Sequence, residues 1–158
     1  YQTDNDYATI LRFAIRSALI DAVKIEGSLD EDDIDDIAGQ AVDLGSVPII
    51  VIRADQGAKA DELVQKMESR WDLEAKTFEL AVPVQTKEDI QALEDAAKAF
   101  HEAHHDATVI PHPIGKIAKE AMLQGQTFGA PLLYTTDGEE TETLPTSTAI
   151  HKLLHPEE

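Results

Sequence analysis

The feature that most constrains this chain is an alternation of short apolar runs with longer amphipathic stretches over residues 47–154. The run VPIIVI at 47–52 carries no charge and consists mainly of branched side chains, which is typical of a parallel strand buried on both faces. Helical spacing follows at 58–70. Further strand–helix pairs are predicted at 78–84 and 87–104, at 108–111 and 113–123, and at 131–135 and 147–154, with a short edge strand at 142–144. This order predicts an α/β fold.

Two helices are predicted before the first strand. Residues 6–24 contain no glycine or proline, and their apolar side chains cover more than one face, so this helix should be buried on two sides or pack on a partner chain. Residues 28–31 form a capping-box pattern ahead of a second helix with apolar positions every three to four residues. We therefore expect one α/β domain over 1–158, with a two-helix extension at 6–44 and strand–helix repeats at 47–154. The expected architecture is a three-layer αβα sandwich with a mostly parallel sheet of four to five strands.

The charge balance narrows the range of partners. Asp and Glu total 31 against 13 Lys and Arg, a net charge of -18 in 158 residues. Such a surface repels nucleic-acid phosphates and anionic lipid headgroups, so we expect neither nucleic acid nor a membrane as a partner. The acidity is interpreted as a device for solubility or as adaptation to salt or acid, and the sequence does not choose between these.

Cysteine is missing from the sequence, which excludes a thiol nucleophile, a disulfide scaffold and a thiolate metal site. No apolar run approaches the roughly 20 residues that span a bilayer, and no signal peptide is visible. A cytoplasmic location is therefore expected. The chain begins at Tyr1 rather than at methionine, which is compatible with a piece of a longer protein.

Polar residues follow each predicted strand, at the edge where ligands of parallel sheets bind. Backbone amides at the helix starts, together with the few cations and hydroxyls gathered there, would suit a phosphate or carboxylate. The candidate ligand-binding residues are Arg53, Asp55, Gly57, Thr86, Gly115, Lys116 and Thr135.

The segment PHPIGK at 111–116 is the sharpest part of this set. Its two prolines restrict the backbone around His112, and Pro113 suits the first position of a helix. An unperturbed imidazole titrates near neutrality, so His112 is the candidate general acid or base. The alternative is a rigid turn whose histidine bonds only to backbone.

Two other patterns have ordinary structural explanations. The string TKED at 86–89 matches the [NT]KxD pattern that reads guanine, but no GxxxxGK[ST] loop accompanies it, and the same string is a common helix cap. His101, His104 and His105 have metal-ligand spacing, but histidines at a helix carboxyl end are also favoured by the dipole. They remain weak metal candidates, and the sequence assigns no metal or cofactor.

Two functional hypotheses follow. In the first, a small anionic metabolite such as a sugar phosphate or carboxylate binds at the carboxyl-terminal edge of the sheet, with or without catalysis. In the second, the chain is an interaction or regulatory module without catalysis, which forms a homo-oligomer through its N-terminal helices. The first requires His112, Arg53 and Asp55 to share one cleft, and the second requires a large exposed apolar area on the first helix.

Overall fold

The computed structural model of the protein describes residues 21–137 and 139–156. Four strands and five helices occur in this part of the chain. They are β1 (Ala22–Glu26), α1 (Glu31–Asp43), β2 (Val47–Arg53), α2 (Ala60–Glu68), β3 (Thr77–Pro83), α3 (Lys87–Ala103), β4 (Thr108–Ile114), α4 (Lys116–Leu123) and α5 (Ser147–Leu154).

The four strands form one parallel sheet in the order β1-β2-β3-β4. Each crossover therefore moves one strand along in the same direction, and right-handed crossovers of this kind place their helices on one side of the sheet. The core confirms this arrangement, because α1, α2, α3 and α4 bury their apolar faces in a single cluster with one alternate set of strand residues. Those strand residues are Val23, Ile25, Ile50, Ile52, Phe78, Leu80, Val82 and Val109.

The predicted three-layer sandwich is therefore wrong for the part of the chain that the structure describes. Its helices cover one face of the sheet, and the other alternate set of strand side chains faces away from them. The parallel α/β character and the number of four strands are confirmed.

Strand β1 was predicted as the end of the first helix. Its five residues alternate between exposed and buried and pair in parallel with β2, from Ala22 opposite Val47 to Glu26 opposite Val51. The rest of that helix, residues 6–20, lies outside the described residues. A helix is present at the second predicted position as α1, but it connects β1 with β2, so residues 22–43 belong to the sheet units and not to a helical extension. Its N-cap is Asp30, whose side chain accepts a hydrogen bond from the Asp32 amide.

The region around His112 also differs from the prediction. Strand β4 continues through both prolines to Ile114, so Pro113 lies in a strand rather than at the start of a helix. Within the described residues β4 pairs only with β3, and prolines are tolerated on such an edge strand because their missing amide can face away from the ladder.

The predicted strands at 131–135 and 142–144 do not form. Beyond α4 the backbone makes only an isolated bridge between Thr136 and Thr146 before α5 begins. Both predictions were based on a short apolar run or a turn signal. Neither pattern indicates which strand would pair with the segment, and a strand forms only when it is paired. Among the described residues, no helix is long and apolar enough to cross a membrane.

Candidate active site

The side of the sheet that faces away from the helices carries most of the polar strand residues. Because alternate residues of a strand point to opposite faces, the register places five of them on this side, which we call the polar face. They are Lys24, Glu26, Arg53, Glu79 and His112. Arg53 pairs with Ala81, which pairs with His112, so Arg53 and His112 occupy one row near the carboxyl ends of their strands.

Glu79 is the buried centre of the polar face, with only 2% of its side chain exposed. Lys24 Nζ donates a hydrogen bond to Glu79 Oε1 at 2.8 Å. His112 Nδ1 lies 3.4 Å from the same oxygen, without good hydrogen-bond geometry. Burial opposes ionisation of Glu79, but contacts with His112, Lys24 and Tyr134 outweigh it and lower its pKa to about 2. Glu79 is therefore a carboxylate at neutral pH.

Tyr134 covers this cluster. Lys24 Nζ lies 3.8 Å from the centroid of the Tyr134 ring, a cation–π contact. The rings of Tyr134 and His112 are 4.2 Å apart and tilted by 31°. Burial and the neighbouring Glu79 carboxylate raise the pKa of Tyr134, so its hydroxyl stays protonated and can donate to Glu79. The four side chains form one connected network, which we call the Glu79 cluster.

A cavity of about 390 Å³ opens at the carboxyl ends of β2, β3 and β4, and we call it the rim cavity. It is lined by Arg53, Ala54, Asp55, Glu62, Lys66, Ala81, Pro83 and Ile114. The Arg53 guanidinium makes a two-bond contact with Glu26, with Nε donating at 2.9 Å and Nη2 at 2.8 Å. The structure thus brings Arg53 and Asp55 to one cavity, but the residues that line it include Ala81, the neighbour of His112 in the sheet, and not His112 itself. The expected cleft shared by all three residues is therefore formed by two of them.

Comparison with known families decides what kind of chain this is. Residues 1–157 match the family model described as type I 3-dehydroquinase. The chain belongs to the type I 3-dehydroquinase family. The 3-dehydroquinate dehydratase of Salmonella paratyphi B is 28% identical over 130 residues, which are 81% of this chain and 51% of that protein. The chain therefore spans about half the length of the curated relatives it matches.

Solved structures of 3-dehydroquinate dehydratases share the fold at low sequence identity. The enzyme of Clostridium difficile, whose structure is described as holding covalently modified comenic acid, superposes with a TM-score of 0.83 at 19% identity. That match covers 99% of this chain and 62% of the other. The enzyme of Geobacillus kaustophilus gives 0.77 at 16% identity, covering 100% and 63%. Sequential parallel strands with helices on one face are consistent with part of a TIM-barrel-like dehydroquinase fold.

Two of the predicted ligand-binding residues have structural roles in this dehydroquinase-family chain. Thr86 caps α3: its hydroxyl accepts from the Asp89 amide at 3.1 Å, while Asp89 Oδ2 accepts from the amides of Gln85 and Thr86. The hydrogen bond from the Gln85 amide, with those from Gln56 and Thr86, lowers the pKa of Asp89. Gly115 adopts φ +151°, and a Cβ there would lie 2.6 Å from the carbonyl oxygen of Val84.

The other three lie apart from the Glu79 cluster. Gly57 has φ +85° in an exposed turn, and Lys116 is exposed at the first position of α4. Thr135 lines a separate groove against α5. Whether any of them binds a ligand stays a prediction.

The three candidate metal histidines have other partners. His101 Nδ1 lies 2.9 Å from the carbonyl oxygen of Ala107, and the His101 and His105 rings form an edge contact. His104 Nε2 lies 2.7 Å from Glu68 Oε1, and its ring packs 4.3 Å from that of Trp71. Over residues 21–137 and 139–156, no group of three or more potential ligands is arranged to hold a metal.

Sequence reasoning missed three members of the Glu79 cluster: Lys24, Glu79 and Tyr134. A signal was present for two of them, because each is a charged residue next to apolar ones in a strand, Lys24 in AVKIE and Glu79 in TFELAVP. Glu79 is the buried one of the two, and a buried charge is rare unless it is paired. Tyr134 lies in the irregular segment between α4 and α5, and no sequence pattern marked it as a member of the cluster.

Proposed function

We propose that this chain forms part of a dehydratase site that binds a small hydroxy-carboxylic acid of the 3-dehydroquinate class at the rim cavity. The relatives named above are 3-dehydroquinate dehydratases. The observation that carries the proposal is the shared row of Arg53 and His112 beside this cavity, with the Glu79 carboxylate directly behind the histidine. This is the anionic-metabolite site expected from the sequence, narrowed to one substrate class.

We assign proton transfer to His112, whose sheet neighbour Ala81 lines the rim cavity. Removing water needs one group to take a proton from carbon and one to protonate the departing hydroxyl. Nδ1 of His112 faces Glu79, so Nε2 is the nitrogen left for a substrate. The negative charge of Glu79, 3.4 Å from Nδ1, favours a ring orientation in which Nδ1 faces the carboxylate. Glu79 thus acts as a positioning residue and His112 as the catalytic one.

Arg53 supplies the charge for the substrate carboxylate. Its guanidinium donates two hydrogen bonds to Glu26 on the neighbouring strand, which limits its freedom before a ligand arrives. Guanidinium groups pair well with carboxylates through two parallel hydrogen bonds. A substrate carboxylate at Arg53 would place the remainder of the molecule along the row that leads to His112.

Conversion of 3-dehydroquinate tests the proposal, followed by proton NMR through the vinyl proton that appears when water is lost. Replacing His112→Gln should lower kcat by roughly 100-fold or more and leave KM nearly unchanged, because general acid–base catalysis contributes on that scale. Arg53→Met should instead raise KM. The matched control is His105→Gln, which removes an exposed imidazole at the end of α3. Equal kcat values for His112→Gln and His105→Gln, or no turnover by the unaltered chain, would contradict the assignment.

The expected homo-oligomer through the N-terminal helices stays a prediction, since the first of those helices falls outside the described residues. A cytoplasmic location also stays a prediction.

A further inference from the structure

A second cavity of about 230 Å³ lies between the carboxyl ends of β1 and β2 and the end of α2. Three cations and one carboxylate line it, in a chain whose net charge is -18. Both arginines of the described part of the chain, Arg53 and Arg70, are among them. We call this the basic cavity, and its polar lining is Glu26, Ser28, Arg53, Lys66, Ser69 and Arg70.

The two arginines are held in place before any ligand binds. Arg53 is fixed by its two-bond contact with Glu26. Arg70 Nη1 donates to Glu31 Oε1 at 2.7 Å, and its Nε donates to the carbonyl oxygen of Gly27 at 3.0 Å. Guanidinium donors fixed in this way lose little freedom when they bind an oxyanion, and their planar geometry suits phosphate.

Lys66 contributes a charge that no carboxylate balances. Its Nζ donates to the carbonyl oxygen of Arg53 at 3.3 Å, and within the described ranges it makes no ion pair. Ser28 and Ser69 add hydroxyl groups to the same wall. The cavity therefore combines an excess of positive charge with polar groups able to bond to oxygen atoms.

The loop after β1 is shaped by Gly27. Its amide donates to the carbonyl oxygen of Val51 at 2.9 Å, and a Cβ at this position would lie 2.7 Å from that oxygen. Only glycine allows so close an approach, and the approach brings Ser28 and the Gly27 carbonyl against the basic cavity. The shape of the basic cavity thus depends on the backbone at Gly27 and on the side chains that line it.

We propose that the basic cavity binds a phosphate dianion, either free inorganic phosphate or the phosphate group of a small monoester. Arg53 and Arg70 each pair with one carboxylate, so Lys66 supplies the unbalanced positive charge, while guanidinium groups paired in this way keep further N–H donors for phosphate oxygens. This cavity adjoins the proposed dehydratase site, because Arg53 and Lys66 line both cavities, whereas Ser28, Ser69 and Arg70 line only the basic cavity. Filling the basic cavity would therefore also act on the arginine assigned to the substrate carboxylate.

Isothermal titration of the full chain with inorganic phosphate, and in a second series with glycerol 3-phosphate, tests the proposal at about pH 8, where both are mostly dianionic. One binding event per chain is expected. Lys66→Gln and Arg70→Gln should each weaken it by about tenfold or more, since each removes a charge-assisted hydrogen bond. Lys59→Gln is the matched control, because it removes an exposed lysine just before α2 that lies outside the cavity.

Ser28→Asp provides a second variant in case the loss of Arg70 disturbs the loop at Gly27, because it places a carboxylate in the cavity and should abolish binding. Tighter binding of glycerol 3-phosphate than of phosphate would indicate a monoester, and the reverse would indicate the free ion. Equal affinities in Lys66→Gln and Lys59→Gln, or displacement of phosphate by equimolar chloride, would overturn the proposal. Binding is read directly, so a failure here leaves the dehydratase proposal intact, and the reverse also holds.

Discussion

Glu79 is the residue at which stability and the proposed chemistry meet. Its pKa falls from 4.5 to about 2 on folding, so the folded state binds its proton less readily than the unfolded state. Glu79 therefore stabilises the fold above pH 4.5, by about 3 kcal/mol for a shift of this size, and this contribution disappears as the pH falls toward 2. In Glu79→Gln we expect the free energy of unfolding to decrease less than in the unaltered protein as the pH is lowered from 4.5 to about 2.

Urea unfolding at several pH values between 2 and 6 measures this slope. Glu102→Gln is a suitable control, since Glu102 is exposed near the end of α3. If the free energy of unfolding changed with pH in the same way in the unaltered protein and in Glu79→Gln, Glu79 would ionise no more readily in the folded than in the unfolded chain.

The sequence indicated the candidate site residues more readily than the side chains that contact them. His112, Arg53 and Asp55 were found because they follow or end apolar runs, and strand ends are where such sheets bind ligands. The partners of His112 come from β3 and the segment before α5, which are distant from it in sequence. Contacts over such separations depend on strand order and register, and a single sequence specifies neither.

Among the elements, the turn from β4 to α4 depends on one glycine. Gly115 combines φ +151° with a Cβ position 2.6 Å from the Val84 carbonyl oxygen, at the point where the Val84 amide donates to the Ile114 carbonyl. Gly115→Ala should therefore destabilise the protein by about 1–3 kcal/mol through backbone strain. Gly39, inside α1, has free space around its Cβ position, and Gly39→Ala should stabilise by about 0.5–1 kcal/mol through helix propensity.

Thermal unfolding of the two variants checks both signs with the same chemical change. A stabilised Gly115→Ala would mean that this turn relaxes without cost, and the glycine would then be free to serve the ligand-binding role predicted from the sequence.

Element boundaries were predicted best where a cap or a long amphipathic face marked them. Helix α5 has the predicted bounds, and Thr86 caps α3 as expected from the TKED string. Strand β1 was missed because its apolar residues continue those of the preceding segment without a break. Five residues are also too few for the spacing of apolar side chains to distinguish a strand from a helix. The apolar run at 131–135 resembles a strand, but strands need a neighbour to pair with.

At the scale of the whole molecule, the sheet has helices on one face and a charged cluster on the other. A sandwich would cover both faces with helices, whereas a barrel turns the second face inward and uses it for ligands at the strand ends. The placement of Lys24, Glu79 and His112 on that second face fits the barrel alternative. Composition alone could not distinguish these architectures, because both are built from the same strand–helix units.

The net charge of -18 should make the stability of the whole molecule depend on the salt concentration. The acidic residues repel one another in the compact state, and ions screen exposed charges over about 10 Å at 0.1 M and about 3 Å at 1 M ionic strength. We expect the melting temperature at neutral pH to rise when sodium chloride increases from about 0.05 M to about 1 M. The paired Glu79 is buried and should contribute little to this change, so Glu79→Gln should show the same salt response.

Calorimetry at several salt concentrations measures this dependence. Chloride is used because sulfate also strengthens apolar burial and would confuse the two effects. A variant with Asp32, Asp33 and Asp36 of α1 changed to asparagine removes three of the acidic charges and should flatten the response. A melting temperature independent of chloride in the unaltered protein would mean that its acidic residues lie far enough apart to avoid repulsion, and the acidity would then serve solubility alone.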